Sequence, residues 1–321
     1  MERVLVTGGA GYVGGTAVSM LLDKGYDVTV LDDLTMGHED AVDPRATFIK
    51  GSILDAAVVR TALQGCSAVM HFAGKSLVGE SVEKPDLYLH VNIDGTEILL
   101  NEMKAAGITR IVFSSSAATY GEPKRVPIME DDVPDPTNPY GASKLGVDHL
   151  LTRFASESGL AAISLRYFNV AGAFNSSTGW LAERHDPETH LIPNVLRAVD
   201  SAPLKIFGTD WPTADGTCIR DYVHVVDLID AHMRALVALK PATHGIVNLG
   251  SGGGYSVKEV IDTASKVVGR TIPAIECERR AGDPAVLIAS IEKAAALLGW
   301  KPTLNLENMI ADTQSAFDSR K

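Results

Sequence analysis

The segment Thr7-Gly8-Gly9-Ala10-Gly11-Tyr12-Val13-Gly14 restricts the fold of this chain more than any other. It follows the first apolar run, Arg3–Thr7, and leads into a helix-length stretch over 14–24. It satisfies G-x-x-G-x-x-G through Gly8, Gly11 and Gly14, and G-x-G-x-x-G through Gly9, Gly11 and Gly14. Glycine at these places allows a tight strand-to-helix turn, close backbone approach to a pyrophosphate, and close helix–strand packing. The phosphates would face the unpaired N–H groups at the helix start. Asp32 ends the second predicted strand, 18 residues after Gly14. A carboxylate there accepts hydrogen bonds from a ribose hydroxyl and repels a 2′-phosphate. Neither lysine nor arginine intervenes before Arg45, which predicts NAD rather than NADP.

The first half of the chain repeats this alternation. Strands are predicted at Arg3–Thr7, Val28–Leu31, Thr47–Lys50, Ala68–Phe72, Arg110–Ser114 and Ala162–Tyr167, and helices at Gly14–Lys24, Pro85–Ala106 and Tyr140–Ser158. Strands alternating with helices imply right-handed crossovers and an α/β fold: a Rossmann-type, doubly wound, mostly parallel sheet. The rhythm loosens after Ala171. Residues 172–190 read as a long loop, followed by helices near 191–200, 227–239, 256–268 and 291–298 and strands near 204–207 and 246–249. Residues 1–171 are therefore expected to bind the dinucleotide, with some later segments returning to that domain. Residues 172–321 form a smaller α/β region expected to bind substrate.

Composition excludes other classes. With 29 basic and 40 acidic residues the net charge is −11, opposite to what a nucleic-acid surface requires. No run approaches the length of a membrane span, and the first strand leaves no room for a signal peptide, so a cytoplasmic protein is expected. Cys66, Cys218 and Cys277 have no zinc-type spacing, and the nine histidines contain no H-E-x-x-H, so no metal site is expected.

Tyr140 and Lys144 stand at i and i+4, on one face of a predicted helix. A tyrosine of ordinary pKa near ~10 is a poor base at neutral pH, and a nearby cation lowers it. The serines Ser114–Ser116 end the fifth strand, at the edge where parallel sheets deliver residues to a ligand crevice. Ser116, Tyr140 and Lys144 beside a nicotinamide make a proton relay between an alcohol and a ketone. Between them runs Gly121–Pro139, with five prolines and five acidic residues, an irregular excursion that ends at the tyrosine.

Here the chain resembles the extended short-chain dehydrogenase/reductase superfamily and, within it, the UDP-glucose (UDP-galactose) 4-epimerase family. The resemblance covers nearly the whole chain. It rests on TGGAGYVGG, HFAG (71–74), VGESV (78–82), SSSAATYGEP (114–123), NPYGASK (138–144), LRYFNVAGA (165–173), DGTCIRDYVHV (215–225), NLGSG (248–252) and RRAGDPA (279–285). It implies Tyr140 as base, Lys144 as the residue that positions the cofactor ribose and tunes Tyr140, and Ser116 as the bridge to the sugar hydroxyl. Tyr12, Val13, Asp32, Asp33, Leu34, Phe72, Ala73, Gly74, Asn92 and Phe168 fall where the family holds NAD, and Ser52 and Ile53 where it meets adenine. Ser52 departs from the acid usual there.

Asn169, His190, Leu191, Arg220, Arg280 and Asp283 fall where the family holds the nucleotide-sugar. Guanidinium forks such as Arg220 and Arg280 also match diphosphate oxygens. Leu287 falls where bulk near the sugar 2-substituent varies, which implies room for an N-acetyl group. The related dehydratases carry an acid and a base where this chain has Ala117 and Ala118, which argues for epimerisation through a 4-keto sugar. UDP-pentose or UDP-uronic acid epimerases, nucleotide-sugar dehydratases or reductases, and a non-enzymatic NAD sensor are the alternatives. The family habit implies a homodimer through the helices near 85–106 and 140–158.

Overall fold

The computed structural model describes residues 2–280 and 283–320. The first half contains strands β1 (Arg3–Thr7), β2 (Asp27–Asp32), β3 (Thr47–Lys50), β4 (Ala68–His71), β5 (Arg110–Ser114) and β6 (Ala161–Tyr167). Its helices are α1 (Tyr12–Asp23), α2 (Ala56–Ala62), α3 (Val78–Glu83), α4 (Pro85–Leu89), α5 (Gly95–Ala105) and α6 (Pro139–Ser158). The second half adds short strands β7 (Asn169–Ala171), β8 (Ala173–Ser176), β9 (Gly179–Ala182), β10 (Leu204–Phe207), β11 (Ile219–Arg220) and β12 (Tyr222–His224). They are followed by β13 (Thr243–Leu249), β14 (Tyr255–Ser256), β15 (Ala274–Cys277) and β16 (Val286–Leu287). Its helices are α7 (Leu191–Arg197), α8 (Val225–Ala238), α9 (Val257–Val268), α10 (Glu292–Leu298) and α11 (Leu306–Asp318).

One sheet of seven parallel strands runs β13-β6-β5-β4-β1-β2-β3. The direction of winding reverses between β1 and β4, and such a switch point opens a crevice at the carboxyl ends of the strands. Side chains alternate between the two faces. Val4, Val6, Val28, Val30 and Met70 pack with Val18 and Leu21 of α1 and Leu228 and Ala235 of α8. Leu5, Leu31, Val69, Ile111 and Phe113 pack with Val59 of α2, Leu99 and Met103 of α5, and Val147 and Leu151 of α6. Covering both faces explains why the strands read as near-continuous apolar runs. A third core joins α7, α9 and α11 through Ile192, Val195, Val260, Ala264, Met309 and Ile310.

Local chemistry sets the helix that carries the tyrosine. The Asn138 side chain accepts the Gly141 N–H at 2.9 Å, Pro139 begins α6, and Gly159 ends it at φ +72°. This cap places Tyr140 in the first turn.

Two features depart from the sequence reading. Residues 172–190, expected as a loop, contain the antiparallel hairpin β8–β9, paired from Ala173–Ala182 to Ser176–Gly179. Its strands, AFNS and GWLA, are only four residues each, too short to show a readable alternation. The stretch 85–105 is continuous but holds a π-helical turn, His90–Asp94, that shifts the helical register at Asn92. Gly121–Asn138 is irregular, yet pinned: Ile128 exchanges backbone bonds with Ile288 and Ser290, and Glu130 accepts the Asn248 N–H.

Candidate active site

The glycine turn is built for close approach. A Cβ on Gly14 would lie 2.1 Å from the Gly8 carbonyl oxygen, and one on Gly8 would lie 2.6 Å from the Ala73 nitrogen. Gly8 also holds φ +73°, open to glycine at little cost. Gly11 caps α1 in an extended conformation without any side-chain cap, and the first turn carries no acid. Its N–H groups therefore point at the crevice, the arrangement a diphosphate needs. Asp32 ends β2 with its carboxylate accepting the N–H groups of Ala10 at 3.0 Å and Leu34 at 2.8 Å. Burial pushes that carboxyl above the ordinary range, and the two N–H bonds oppose the push. Its remaining lone pairs suit ribose hydroxyls. These features fit NAD.

The crevice is one cleft of about 2300 Å³. That exceeds a single-ligand pocket of roughly 300–1,000 Å³ and matches two nucleotides side by side. Gly8, Gly11, Tyr12, Val13, Gly14, Asp32, Asp33, Ser52, Ile53, Phe72, Ala73, Gly74 and Phe168 line it, as do Ser116, Tyr140 and Lys144. Asn169, His190, Arg220, Arg280, Asp283 and Leu287 line it too.

Three expected residues lie elsewhere. Leu34 is not in the wall; its backbone, at φ +61°, turns its N–H onto Asp32. Asn92 is buried behind the wall, where its side chain accepts the Lys75 N–H and donates to the Lys75 carbonyl and Ser143 Oγ. Leu191 lines a neighbouring cavity of about 550 Å³, which shares Asn169, His190, Arg220, Arg280 and Asp283 with the cleft.

Ser116, Tyr140 and Lys144 meet where β5 ends against α6. Ser116 Oγ accepts the Ala118 N–H at 3.1 Å, and Ser116 also hydrogen-bonds Tyr140, which favours the phenolate. Burial outweighs that bond and raises the phenol above its usual pKa. Lys144 Nζ donates to the Ser114 carbonyl at 2.9 Å and lies 4.8 Å from the centre of the Phe113 ring. Burial pushes the lysine down to about 8. The Lys144 ammonium stands 5.8 Å from the centre of the Tyr140 ring, with its hydrogen bond turned toward Ser114.

On the opposite side Arg220 bonds the carbonyls of Ile219 and Pro284 at 2.9 Å and stands 3.6 Å from Asp283. The Arg280 guanidinium stacks 3.8 Å from the centre of Phe207. Both forks are held by neighbours yet still line the cleft.

Residue spacing missed the supports. His71 bridges Thr7 and Thr96 at 2.7 and 2.8 Å, and Thr96 donates to the Asn92 carbonyl. Burial pushes His71 down to about 3, so it stays neutral and fixes the turn before Phe72. Asp221 is buried and accepts from Ser251, Gly252 and Ala289, tying β11 to the NLGSG turn. Its place inside DGTCIRDYVHV was the available signal.

Residues 4–250 match the NAD dependent epimerase/dehydratase family. The chain belongs to that family. It is 50% identical over 319 residues to the UDP-glucose 4-epimerase of Corynebacterium glutamicum, covering 99% of this chain and 96% of that one. Its fold matches the UDP-glucose 4-epimerase of Brucella ovis in complex with NAD at a TM-score of 0.93 and 41% identity, over 99% and 98% of the two chains. The Bifidobacterium longum enzyme in complex with NAD+ and UDP matches at 0.88 and 35% identity, over 99% and 98%. Within the family the chain therefore falls among the UDP-glucose 4-epimerases. Among the described residues no helix is long and apolar enough to cross a membrane.

Proposed function

We propose that this NAD-dependent epimerase interconverts UDP-galactose and UDP-glucose by inverting C4 of the hexose. One observation carries the reading: Ser116, Tyr140 and Lys144 line the same cleft as the glycine turn and the Arg220–Arg280 pair. When bound, NAD supplies the acceptor and donor of the C4 hydrogen.

Tyr140 Oη takes the proton of the sugar 4-hydroxyl. Ser116, hydrogen-bonded to Tyr140, stabilises the phenolate and orients that hydroxyl. Lys144 adds a buried positive charge beneath the pair. Arg220 and Arg280 grip the diphosphate, so that the 4-keto sugar can turn about its link and present its other face. Binding energy from the remote nucleotide then serves a step at the sugar. Ala117 and Ala118 move no proton, which favours epimerisation over loss of water. In this reading residues 1–171, with β13 added to their sheet, hold NAD, and most of 172–321 holds the nucleotide-sugar.

Leu287 sits beside Arg220 in register, β16 against β11, and lines the cleft. Its modest bulk supports turnover of UDP-N-acetylhexosamines as well. A homodimer through α4–α5 and α6 is part of the same proposal, supported by Leu89, a large apolar residue left exposed on α4; light scattering on the purified chain tests it.

The deciding experiment incubates the purified protein with UDP-galactose and no added NAD, then separates products by chromatography. UDP-glucose at equilibrium is expected. Absence of turnover, or stoichiometric dependence on added NADH, would overturn the reading.

A further inference from the structure

The connection from β9 to α7 brings cation-binding side chains together on the cleft wall. Glu183, His185 and His190 each offer one ligand atom, and these atoms all lie within 4.8 Å of one another. Glu183 directly follows β9 and His190 directly precedes α7, so the donors come from both ends of one connection. His185 Nδ1 is hydrogen-bonded to Glu183 Oε1. His190 Nδ1 lies 3.9 Å from Glu183 Oε2 and 2.7 Å from Glu188 Oε1. The two imidazole rings are 5.5 Å apart.

Charge points the same way. The side chains of Glu183 and Glu188 are only 13% and 3% exposed. The two carboxylates bring two negative charges into the cluster at low exposure, shared with His185 and His190 through hydrogen bonds, and a cation held among the four groups would balance them. Nearby guanidinium groups compensate poorly: Arg184 makes a two-point pair with Asp40, and Arg197 stands 3.9 Å from Glu188 Oε2. Glu188 Oε2 is buried and accepts no hydrogen bond among the described residues. Two imidazole nitrogens with carboxylate oxygens suit zinc-type ions, whereas magnesium and calcium favour oxygen alone.

We propose that Glu183, His185 and His190 bind a divalent transition metal of the zinc type, with Glu188 as the adjoining carboxylate. The metal would clamp the 183–190 connection and so hold that wall of the cleft, including His190, in one place. It is a positioning device and takes no part in the redox step. The two histidines stand in an H-x-x-x-x-H spacing, but no paired cysteines accompany it, and the third donor, Glu183, belongs to no zinc motif, so residue spacing alone does not mark the cluster.

The test uses the untagged full chain with its cofactor, stripped with a chelator and re-equilibrated with Zn2+ or Co2+. Elemental analysis after gel filtration is expected to find one zinc per chain. The cobalt form is expected to show the ligand-field absorption of a nitrogen- and oxygen-coordinated site. His185→Ala and Glu183→Gln, checked for unchanged circular dichroism, should each weaken zinc binding at least about tenfold. Wild-type protein that retains no zinc and shows no cobalt bands would overturn the proposal. So would folded variants that keep zinc as tightly as wild type, or retention of Mg2+ in its place.

Discussion

Lys144 and Tyr140 share one face of α6, but the lysine ammonium bonds the Ser114 carbonyl at 2.9 Å and stands 5.8 Å from the centre of the phenol ring. Proximity along a helix thus brought the pair together, while the strand end β5 took the lysine's hydrogen bond. Both groups are buried, and burial moves them in opposite directions, the lysine down to about 8 and the tyrosine up.

A pH dependence of stability follows from the lysine. Unfolded, Lys144 titrates near ~10.4, so between about 8 and that value the unfolded chain binds more protons and stability rises with pH. Lys144→Met should remove this rise. It should also be at least as stable as wild type at pH 7, by about 1–3 kcal/mol once the lost Ser114 bond is offset. Urea unfolding at pH 7 and pH 9.5 measures both effects. A variant markedly less stable at pH 7 would contradict the burial argument.

Tyr140→Phe deletes the proton acceptor and little else, because the ring keeps its place in the first turn of α6. Turnover of UDP-galactose should fall by about 10²–10⁴-fold while the purified protein retains its NAD. Cofactor content by absorbance and the epimerase assay, run on one preparation, separate the two effects.

Leu287 tests substrate choice. Leu287→Tyr adds bulk on the cleft wall beside Arg220. Turnover of UDP-N-acetylglucosamine should drop at least about tenfold, with UDP-galactose little changed. Equal losses for both sugars would assign Leu287 to packing.

The turn itself can be probed at Gly14. Gly14→Ala would force a Cβ to 2.1 Å from the Gly8 carbonyl oxygen, so either the turn or α1 must shift. Purified protein should carry markedly less NAD, with turnover falling in proportion. Full retention of cofactor would show that the turn can yield.

Stability rests partly on an ion pair beneath the site. Arg166 donates twice to Asp148 Oδ2, at 3.1 and 2.8 Å, with both side chains almost wholly buried. Asp148→Ala leaves the guanidinium unpaired over Tyr120 and should destabilise the protein by about 3–5 kcal/mol. Asp148→Leu with Arg166→Met removes both charges and should lose less. Chemical denaturation of the single and double variants decides it.

Much of this was legible before any coordinates. The parallel sheet followed from apolar runs spaced by helix-length segments, and β1, β3 and β5 fall at the residues expected. Short elements were not legible: β8 and β9 run to four residues each, too few to show alternation, and α11 went unpredicted because its apolar face answers to α9 across the third core. Asn92 was readable as a site residue but not as a support, since its partners Lys75 and Ser143 lie 17 and 51 residues away.

The glycine spacing, the acid after β2 and the Tyr140–Lys144 pair are local facts, and local geometry alone makes them a dinucleotide turn and a two-residue face. Their meaning as a site is not local. Ser116 reaches Tyr140, and Arg220 shares a cleft with Gly11, because the reversal of winding between β1 and β4 opens one crevice along the strand ends. The protonation of Lys144 and Tyr140 was decided there as well. Residue type sets a reference pKa, but desolvation depends on what the rest of the chain packs around the group.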